Sequence, residues 1–535
     1  MEKKLWVKRA AATTVALTML VPLMAACSKG EKEDSTEKRV LRIGTLYGGK
    51  DNEPWFRQQY TDTFEFTHPN IELEIVGAIN NDDQRFQVYD PNNPQKQPDT
   101  YEEFKKMLTG QNPVDVVILD YSQLKRLIQD NLLQQLDPLI AQDKFDLTDY
   151  VPTILDGIKQ VGDNNMYALT PTFSASALFY NKKLFQEAGV TPPTDGMFWP
   201  DIVDLARRVS KGEGVDRKYG LSFNRWPGSN GIYDVQNYAS TLQLKTWDDK
   251  GEKMLVNTQG WEDALNVVAG LYKDDIVPDS EDVQKMNESK EGGDMGIYNP
   301  LDSDWFLSGR VAMTISDFSY VNELTLAKDN ADKIKGFTPF DWDVVTVPQH
   351  QQAAGIGGSI YYSQLMSINA KAQNPDDAWE FIKFTNSPEL AKLKSRSQYE
   401  LSSRKSFIKA SETATPFNIA AFYTLKPIPP SSTDTDKLYR EKPGIWEATN
   451  AGNDAFNDVI KGNKTAKEAL ADWETKGNAV LERLKTNPNG GDGGGIIDVK
   501  PLAEASGEAT STDSTEASEA TESTEATTTD AAVVE

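Results

Sequence analysis

The chain has 535 residues, a formal net charge of -25, one cysteine and two histidines. One cysteine excludes an intrachain disulfide, and two histidines exclude a metal site built from several of them. The acidic balance favours solubility and disfavours nucleic acid as a partner. We therefore expect no metal, no cofactor and no bound nucleic acid.

The first 26 residues have the pattern of a secretory signal, with a basic start and an apolar run over residues 10–24. Cys27 follows two alanines, in the order Leu-Met-Ala-Ala-Cys, which resembles a bacterial lipobox with Met24 where leucine is usual. This motif predicts a mature protein that begins at a lipidated Cys27 and is anchored to the outer face of the cell membrane. A plain signal peptide cleaved nearby is the alternative. Removing residues 1–26 takes away four basic residues and one acidic residue, so the charge changes from -25 to -28.

Both ends of the mature chain are poor in apolar residues. Residues 27–38 are charged and predict a flexible tether. After a glycine-rich hinge that begins the segment 490–535, the tail consists mainly of Ser, Thr, Ala and Glu, and nine acidic residues follow Leu502. Such a segment buries too little apolar surface to offset its ordering entropy, so we expect a disordered tail.

Roughly 460 residues lie between these ends, which is too many for one core and suits two domains. Strands are predicted at 39–47, 71–76 and 114–119, with helices between them and a polar insertion at 80–99. Alternating strands and helices predict an α/β fold with a largely parallel sheet. Ligands of such sheets bind beyond the carboxyl ends of the strands, where Tyr47, Asp120 and Tyr121 stand.

Residues 167–193 are predicted to connect two bodies of structure. An extended run, the small residues 174–177 and a short strand precede Asn181, which is a good N-cap for a helix that Gly189 ends. An ordinary strand–helix unit is the alternative. Farther on, a strand at 219–223 leads into a polar loop that carries Trp226.

Several motifs, taken together and in order, carry a family resemblance. They include FTHPNIELEIVG, LTGQNPVDVVILD, YALTPTFSASALFYNKKLFQEAGVTPPT, SGRVAMTISD, DWDVVTVP, DAWEFIKFTNSPELAK and the element G-x-x-T-x-x-E-A-L near residue 462. The chain resembles the extracellular solute-binding proteins of ABC importers, in the carbohydrate-binding branch that includes the maltodextrin-binding proteins. The insertion at 80–99 and the acidic tail depart from that pattern.

The resemblance implies two α/β lobes around a ligand cleft that closes by hinge bending. Lobe one would comprise 39–171 plus 317–362, and lobe two 172–316 plus 363–489. Chain crossings are expected near 172–175, 315–317 and 362–368. The implied ligand is a carbohydrate, and we expect an oligosaccharide. The implied protein partners are the transmembrane subunits of an ABC permease, and the implied state of the protein is a monomer.

A sugar offers hydroxyl groups at its edge and apolar C–H patches on its faces, so its site needs aromatic rings with polar groups around them. The predicted ligand contacts are Tyr47, Trp55, Asp120, Tyr121, Ser174, Trp226, Asp317, Phe318, Tyr361, Arg404 and Trp446. For each of them the alternative is packing in the core or at its rim.

The resemblance supports some of these contacts. Asp120 and Tyr121 match contacts of the family that follow a strand, and Trp226 matches a loop of the second lobe. Phe318 matches an aromatic residue after a hinge, and Trp446 a stacking aromatic ahead of the late helices.

Other functions stay open at this point. A binding protein for another solute, such as a peptide, would share the architecture. A glycan-acting enzyme needs only two carboxylates, but no pair stands isolated in an apolar setting and no nucleophile elbow is present, so we expect no enzyme and no catalytic residue. A surface adhesin or scaffold would give the acidic tail a role.

Overall fold

The computed structural model describes residues 37–85, 98–226, 228, 231–288, 299, 301–357, 360–409, 416–431 and 435–490. They all belong to one unit that ends at Gly490, and a second unit comprises Gly491–Glu535. The predicted lipidation site at Cys27, most of the tether, most of the 80–99 insertion and the acidic tail lie outside the described residues.

Strands and helices alternate along most of the described chain. The strands are β1 (Arg39–Gly48), β2 (Ile71–Asn80), β3 (Val116–Leu119), β4 (Thr172–Asn181), β5 (Met313–Asp317), β6 (Trp342–Val345), β7 (Ile360–Tyr362), β8 (Leu365–Ile368) and β9 (Leu401–Ser402). The helices up to β5 are α1 (Glu53–Phe56), α2 (Asp62–Thr67), α3 (Asn81–Arg85), α4 (Thr100–Thr109), α5 (Tyr121–Gln129), α6 (Asp137–Asp143), α7 (Pro152–Val161), α8 (Lys182–Ala188), α9 (Trp199–Val209), α10 (Ile232–Tyr238), α11 (Gln259–Lys273) and α12 (Ser280–Glu288). The later helices are α13 (Tyr320–Asp329), α14 (Pro375–Thr385), α15 (Pro388–Lys394), α16 (Thr435–Glu441), α17 (Trp446–Ile460) and α18 (Ala466–Leu484).

The first sheet has the strand order β2-β1-β3-β8. β1 is parallel to β2 and β3, as the alternation of strands and helices predicts, whereas β8 is antiparallel to β3. β3 is buried along its whole length, which is typical of a strand covered on both faces. Helices α2, α4, α5, α7 and α14 contribute to the core around this sheet.

The second sheet is built around β4, and its pairings are all antiparallel, so a largely parallel arrangement is found only in the first sheet. The second half of β4 lies between β5 and β6, and its first half pairs with β7 and β9. A second hydrophobic core, formed by α9, α10, α11, α17 and α18, surrounds Trp261 and Trp473, whose rings meet edge to face at 5.5 Å.

The predicted helix start after β4 is confirmed. The side-chain oxygen of Asn181 accepts hydrogen bonds from the amides of Lys183 and Leu184, and Gly189 ends the helix with φ 67°. The predicted strand at 219–223 is replaced by isolated bridges from Tyr219 to Val311 and from Ser222 to Thr314.

Two segments differ from the predicted lobe boundaries. β6 pairs with the second half of β4, although 317–362 was assigned to lobe one. β8 pairs with β3, and Phe381 of α14 packs edge to face on Phe64 at 5.2 Å, although 363–489 was assigned to lobe two. Each of these two strands pairs with a strand that is more than 150 residues away in the sequence. Local sequence patterns do not predict such pairings. The remaining lobe boundaries stay a prediction.

None of the helices among the described residues combines the length and the apolar character needed to cross a membrane.

The Asp115 side chain links the first sheet by hydrogen bonds to the turn that leads into α14. Its fully buried carboxylate accepts hydrogen bonds from the amides of Arg42 at 3.1 Å and of Gln373 and Asn374 at 2.8 Å each. We expect Asp115→Asn to lower the free energy of unfolding by about 1–3 kcal/mol, because the new amide group would face backbone donors. Urea denaturation measures this loss.

Asp376→Asn, at an exposed position in the first turn of α14, is the matched control and should change stability by less than about 0.5 kcal/mol. Equal effects of the two substitutions would contradict the role assigned to Asp115.

Candidate functional site

Strand β4 presents a polar face and an apolar face. Phe173, Ala175 and Ala177 point into the first core and are at most 2% exposed, whereas Ser174 and Ser176 on the opposite face are partly exposed. This alternation follows from the two-residue period of a strand. The polar face of β4 is therefore accessible to solutes at the point where the strand changes its pairing partners from β7 to β5.

Neighbouring strands add side chains to this polar face. Ser174 pairs with Tyr361 of β7, and Ser176 pairs with Asp317 at the end of β5. The register between β4 and β9 places Glu400 opposite Ser174 on the other side, and residues that pair directly across strands share a face. The crossing-strand face, as we define it, consists of Ser174, Ser176, Asp317, Tyr361 and Glu400.

Tyr361 is the large aromatic side chain of the crossing-strand face and is 60% exposed. Desolvation of its hydroxyl group, together with the carboxylates of Asp120 and Glu400, raises the pKa of Tyr361. The phenol therefore stays neutral at physiological pH, where it can both donate and accept a hydrogen bond.

A second exposed aromatic ring lies beside this one. Trp55, which is 57% exposed, meets Tyr60 edge to face at a centroid distance of 6.5 Å. Burial and then the charges of Glu400 and Tyr361 raise the pKa of Tyr60, which locates that ring beside the crossing-strand face. The structure thus brings Trp55, Ser174, Asp317 and Tyr361 of the predicted set into one neighbourhood.

Tyr47 and Asp120 lie at the same sheet edge, at the carboxyl ends of the parallel strands β1 and β3. Tyr47 is 48% exposed. One carboxylate oxygen of Asp120 caps α5 by accepting from the Gln123 amide at 2.8 Å, and the Gln123 side chain accepts from the Asp120 amide in return. Asp120 is thus held rigidly at the position predicted for it.

Most of the Tyr121 side chain packs against the first core. Its hydroxyl group donates to the carbonyl oxygen of Gly157 at 2.6 Å, and its ring packs against Tyr362 at 4.9 Å. Burial raises the pKa of Tyr121 to about 12. Only the part of the ring that remains exposed can reach a solute.

Phe318 and Arg404 are each 4% exposed, which differs from the predicted ligand contacts. The Phe318 ring packs edge to face on Phe422 at 5.5 Å. The Arg404 guanidinium donates to the carbonyl oxygen of Asn386 at 2.8 Å and lies over the Tyr150 ring at 4.7 Å. Residue type alone does not separate such a buried arginine from one that binds a ligand.

On the side of the second core, Trp226 is 57% exposed, at the end of a loop ordered by a hydrogen bond from its amide to Asn224. The Arg225 guanidinium lies over the Trp226 ring at 4.4 Å and over the Tyr320 ring at 5.1 Å. These contacts of Arg225 place Trp226 near Tyr320, the first residue of α13.

Trp446 begins α17 and is partly exposed. One turn later, Asn450 accepts a hydrogen bond at 3.1 Å from the hydroxyl of Tyr233, which is 43% exposed. Tyr439, at 42%, interacts electrostatically with Tyr233. The position of this aromatic group relative to Tyr361 stays a prediction.

Sequence reasoning missed Glu400, Tyr233 and Tyr439. The polar-apolar alternation Glu400-Leu401-Ser402 is a weak strand signal, and its pairing with β4 bridges more than 220 residues. Within the described residues, no group of three or more His, Cys, Asp and Glu side chains is arranged to hold a metal ion.

One ion pair joins the two cores. Asp99 caps α4 with one carboxylate oxygen, and its other oxygen lies 2.6 Å from the guanidinium of Arg440, whose side chain is only 8% exposed. Arg440 belongs to α16, which contributes Leu438 to the second core.

Asp99→Asn keeps a good helix cap but removes the charge opposite Arg440. We expect a loss of about 1–3 kcal/mol in the free energy of unfolding, because a nearly buried cation is left without its counter-ion. Asp51→Asn is the matched control, since it breaks the pair with Arg85 in which both side chains are exposed, and it should cost less than about 1 kcal/mol. Urea denaturation of both variants decides, and an Asp99 effect no larger than the control would refute the inference.

The comparisons with known proteins agree with this architecture. The sequence profile for bacterial extracellular solute-binding proteins matches residues 50–392. The sn-glycerol-3-phosphate-binding periplasmic protein UgpB of Pectobacterium atrosepticum is 25% identical over 354 residues, which is 64% of this chain and 72% of that protein. UgpB of Escherichia coli K12 is 24% identical over 356 residues, 64% of this chain and 73% of that protein.

Solved structures show the same fold. A sugar transporter protein from Rhizobium etli in an open conformation superposes with a TM-score of 0.54 at 18% identity, over 82% of this chain and 99% of that one. An extracellular solute-binding protein family 1 member from Alicyclobacillus acidocaldarius gives 0.56 at 16% identity, over 83% and 99%. The sugar-binding protein MalE from Xanthomonas citri gives 0.50 at 16% identity, over 84% and 99%.

Proposed function

The chain belongs to the family of bacterial extracellular solute-binding proteins, and we propose that it captures a carbohydrate, specifically an oligosaccharide, between its two lobes and delivers it to an ABC import permease. Its α/β fold is that of the two-lobe solute-binding proteins. Proteins of this family bind and release solutes, so we propose that the chain has no enzymatic activity of its own.

The observation that carries the carbohydrate assignment is the crossing-strand face. Tyr361 offers an exposed ring for the C–H face of a sugar, and Ser174, Asp317 and Glu400 surround it with hydroxyl and carboxylate oxygens. Rings for the faces of the sugar and acceptors for its hydroxyl groups are the two requirements of a specific sugar site. Trp55, next to Tyr60, supplies a further exposed ring near the same face, and Trp226 supplies an exposed ring on the side of the second core.

The comparisons suggest two classes of small solute. Two of the structures that share the fold are described as a sugar transporter protein and a sugar-binding protein, whereas the curated relatives are described as binding sn-glycerol 3-phosphate. A phosphorylated polyol is therefore the second candidate, and a peptide is a third that would use the same architecture.

We further propose that Cys27 is lipidated and holds a monomeric protein on the outer face of the cell membrane. The lipobox-like sequence before Cys27 supports this anchor, and the charged tether after it would let the protein reach a permease.

The carbohydrate assignment is tested by thermal unfolding of the full-length protein with neutral oligosaccharides, sn-glycerol 3-phosphate and peptides. A ligand at 100 times its Kd stabilises the folded state by about 2.7 kcal/mol, which raises Tm by a few degrees. A shift with an oligosaccharide and no product on incubation supports the proposal. A shift with peptides alone would contradict it, and slow conversion of a glycan would indicate an enzyme.

Tyr361→Ala and Trp226→Ala should each weaken binding of that oligosaccharide at least about tenfold, because loss of a stacking ring costs about 1–3 kcal/mol. Phe66→Ala is the matched control, since it removes a ring that is 87% exposed at the end of α2. Calorimetric titration measures the three dissociation constants, and an unchanged affinity in both cleft variants would refute the placement of the site.

Cys27→Ser should move the protein from the membrane fraction to the soluble fraction of fractionated cells, because a serine cannot carry the thioether-linked lipid. Ser28→Ala is the matched control and should leave the protein in the membrane fraction. Membrane retention of the Cys27 variant would overturn the anchor.

A further inference from the structure

The crossing-strand face is bordered by three carboxylates, which belong to Asp120, Asp317 and Glu400. The Asp120 and Asp317 carboxylates each accept local hydrogen bonds, from the amides of Gln123 and Ser319 respectively. Glu400 differs from both, because it stands beside the exposed Tyr361 ring without capping a helix or turn with its side chain.

One oxygen of Glu400 is engaged and the other is available. Oε2 accepts a hydrogen bond at 2.7 Å from the hydroxyl group of Thr172, which is fully buried at the start of β4 on the same face as Ser174. Oε1 accepts no hydrogen bond from the residues that the structure describes. The carboxylate is therefore held in place by one oxygen and can offer the other to a ligand.

Two cationic side chains near the crossing-strand face make contacts within the protein. The ammonium group of Lys394 donates to the side-chain oxygen of Gln59 at 2.7 Å and lies 4.6 Å from the centre of the Tyr60 ring. Burial lowers the pKa of Lys394, and Glu400 opposes that shift without forming an ion pair within the described residues. On the other side, the Arg225 guanidinium lies over the Trp226 and Tyr320 rings, and its Nε is buried without a hydrogen-bond partner in the part of the chain that the structure describes.

We propose that Glu400 determines specificity by accepting a hydroxyl group of the sugar ring stacked on Tyr361, and that the face rejects anionic solutes. This proposal rests on the proposed function, because it assumes that a solute binds at this face. The proposed preference for neutral ligands would distinguish this chain from its curated relatives, which are described as binding a phosphate ester.

The chemistry of a carboxylate explains both halves of the selectivity. An ionised carboxylate only accepts hydrogen bonds, and a bond to a charged acceptor is roughly twice as strong as one between neutral groups. A neutral sugar supplies hydroxyl donors. A phosphate or uronate group of the ligand, ionised at neutral pH, has no proton to donate there and meets like charges instead.

The test measures the dissociation constants of maltotriose and mannotriose, which are neutral, and of trigalacturonic acid and sn-glycerol 3-phosphate, which are anionic. Titration calorimetry on the full-length protein at fixed ionic strength compares the wild type with Glu400→Gln. Thr172→Val removes the hydrogen bond between Thr172 and Glu400 but keeps the carboxylate. Glu389→Gln, at an exposed position of α15, changes the net charge equally at another site.

We expect the wild type to bind a neutral trisaccharide at least about 100-fold more tightly than either anion. Glu400→Gln should weaken binding of the neutral sugar about tenfold, as expected for loss of one charge-assisted hydrogen bond. It should also reduce the discrimination against anions. Thr172→Val, which keeps the charge but loses the hydrogen bond that positions it, should have a smaller effect, and Glu389→Gln should leave the ratio of the two affinities unchanged.

Each other result has a distinct meaning. Anionic probes that bind the wild type as tightly as neutral sugars would overturn the selectivity and leave solute binding intact. Equal changes in Glu389→Gln and Glu400→Gln would show that net charge alone causes the effect and would overturn the role of Glu400. Failure of every saccharide to bind would overturn the carbohydrate function itself, and the selectivity with it.

Discussion

The architecture depends on one strand that is shared by two environments. β4 runs without interruption from Thr172 to Asn181, but its partners change along the way. Ala175 still pairs with Ile360 of β7, and the next residue, Ser176, pairs with Asp317 of β5. Backbone groups in a buried strand must be hydrogen-bonded, so this change of partners can occur only if other strands arrive where the first ones end. The ends of β5 and β7 meet this requirement.

The same strand supplies the core and the candidate site. Its apolar side chains join the first core through Phe173 and through Phe179, which packs near Phe306, Tyr320 and Trp342. Its other face is made of small polar residues, so neighbouring strands can place larger groups over it. Tyr361 and Glu400 occupy that space from opposite sides of β4. A bulky residue at Ser174 would remove the room that a solute needs.

Local chemistry was predictable from the sequence, and long-range pairing was not. The Asn181 cap, the Gly189 helix end and the buried β3 each depend on a few consecutive residues, and all three are present. Tyr361 and Trp226 were recognised because a large aromatic residue in a polar or glycine-rich segment has little local core to join, and both rings are exposed.

The errors arose where distant segments meet. Arg404 is buried because Tyr150 and Asn386, each from another part of the chain, enclose its guanidinium. β6 and β8 lie in the sheets opposite to those predicted, since their pairing partners are β4 and β3. Glu400 gained its position from β9, a strand of two residues whose pattern is too short to recognise.

Under the proposed function, the position of the partner change would couple solute binding to bending between the lobes. Tyr361 and Glu400 belong to strands on the Ala175 side of it, and Asp317 belongs to a strand on the Ser176 side. Rotation of the two halves of β4 about this point therefore alters the spacing between these side chains, and only small side chains lie at the point itself. A ligand shifts such an equilibrium only as far as its affinities for the two geometries differ. A solute that contacts Tyr361 and Asp317 together meets that condition, whereas one that contacts a single side would bind without favouring closure. Under the proposed function, specificity and closure would thus depend on the same few side chains.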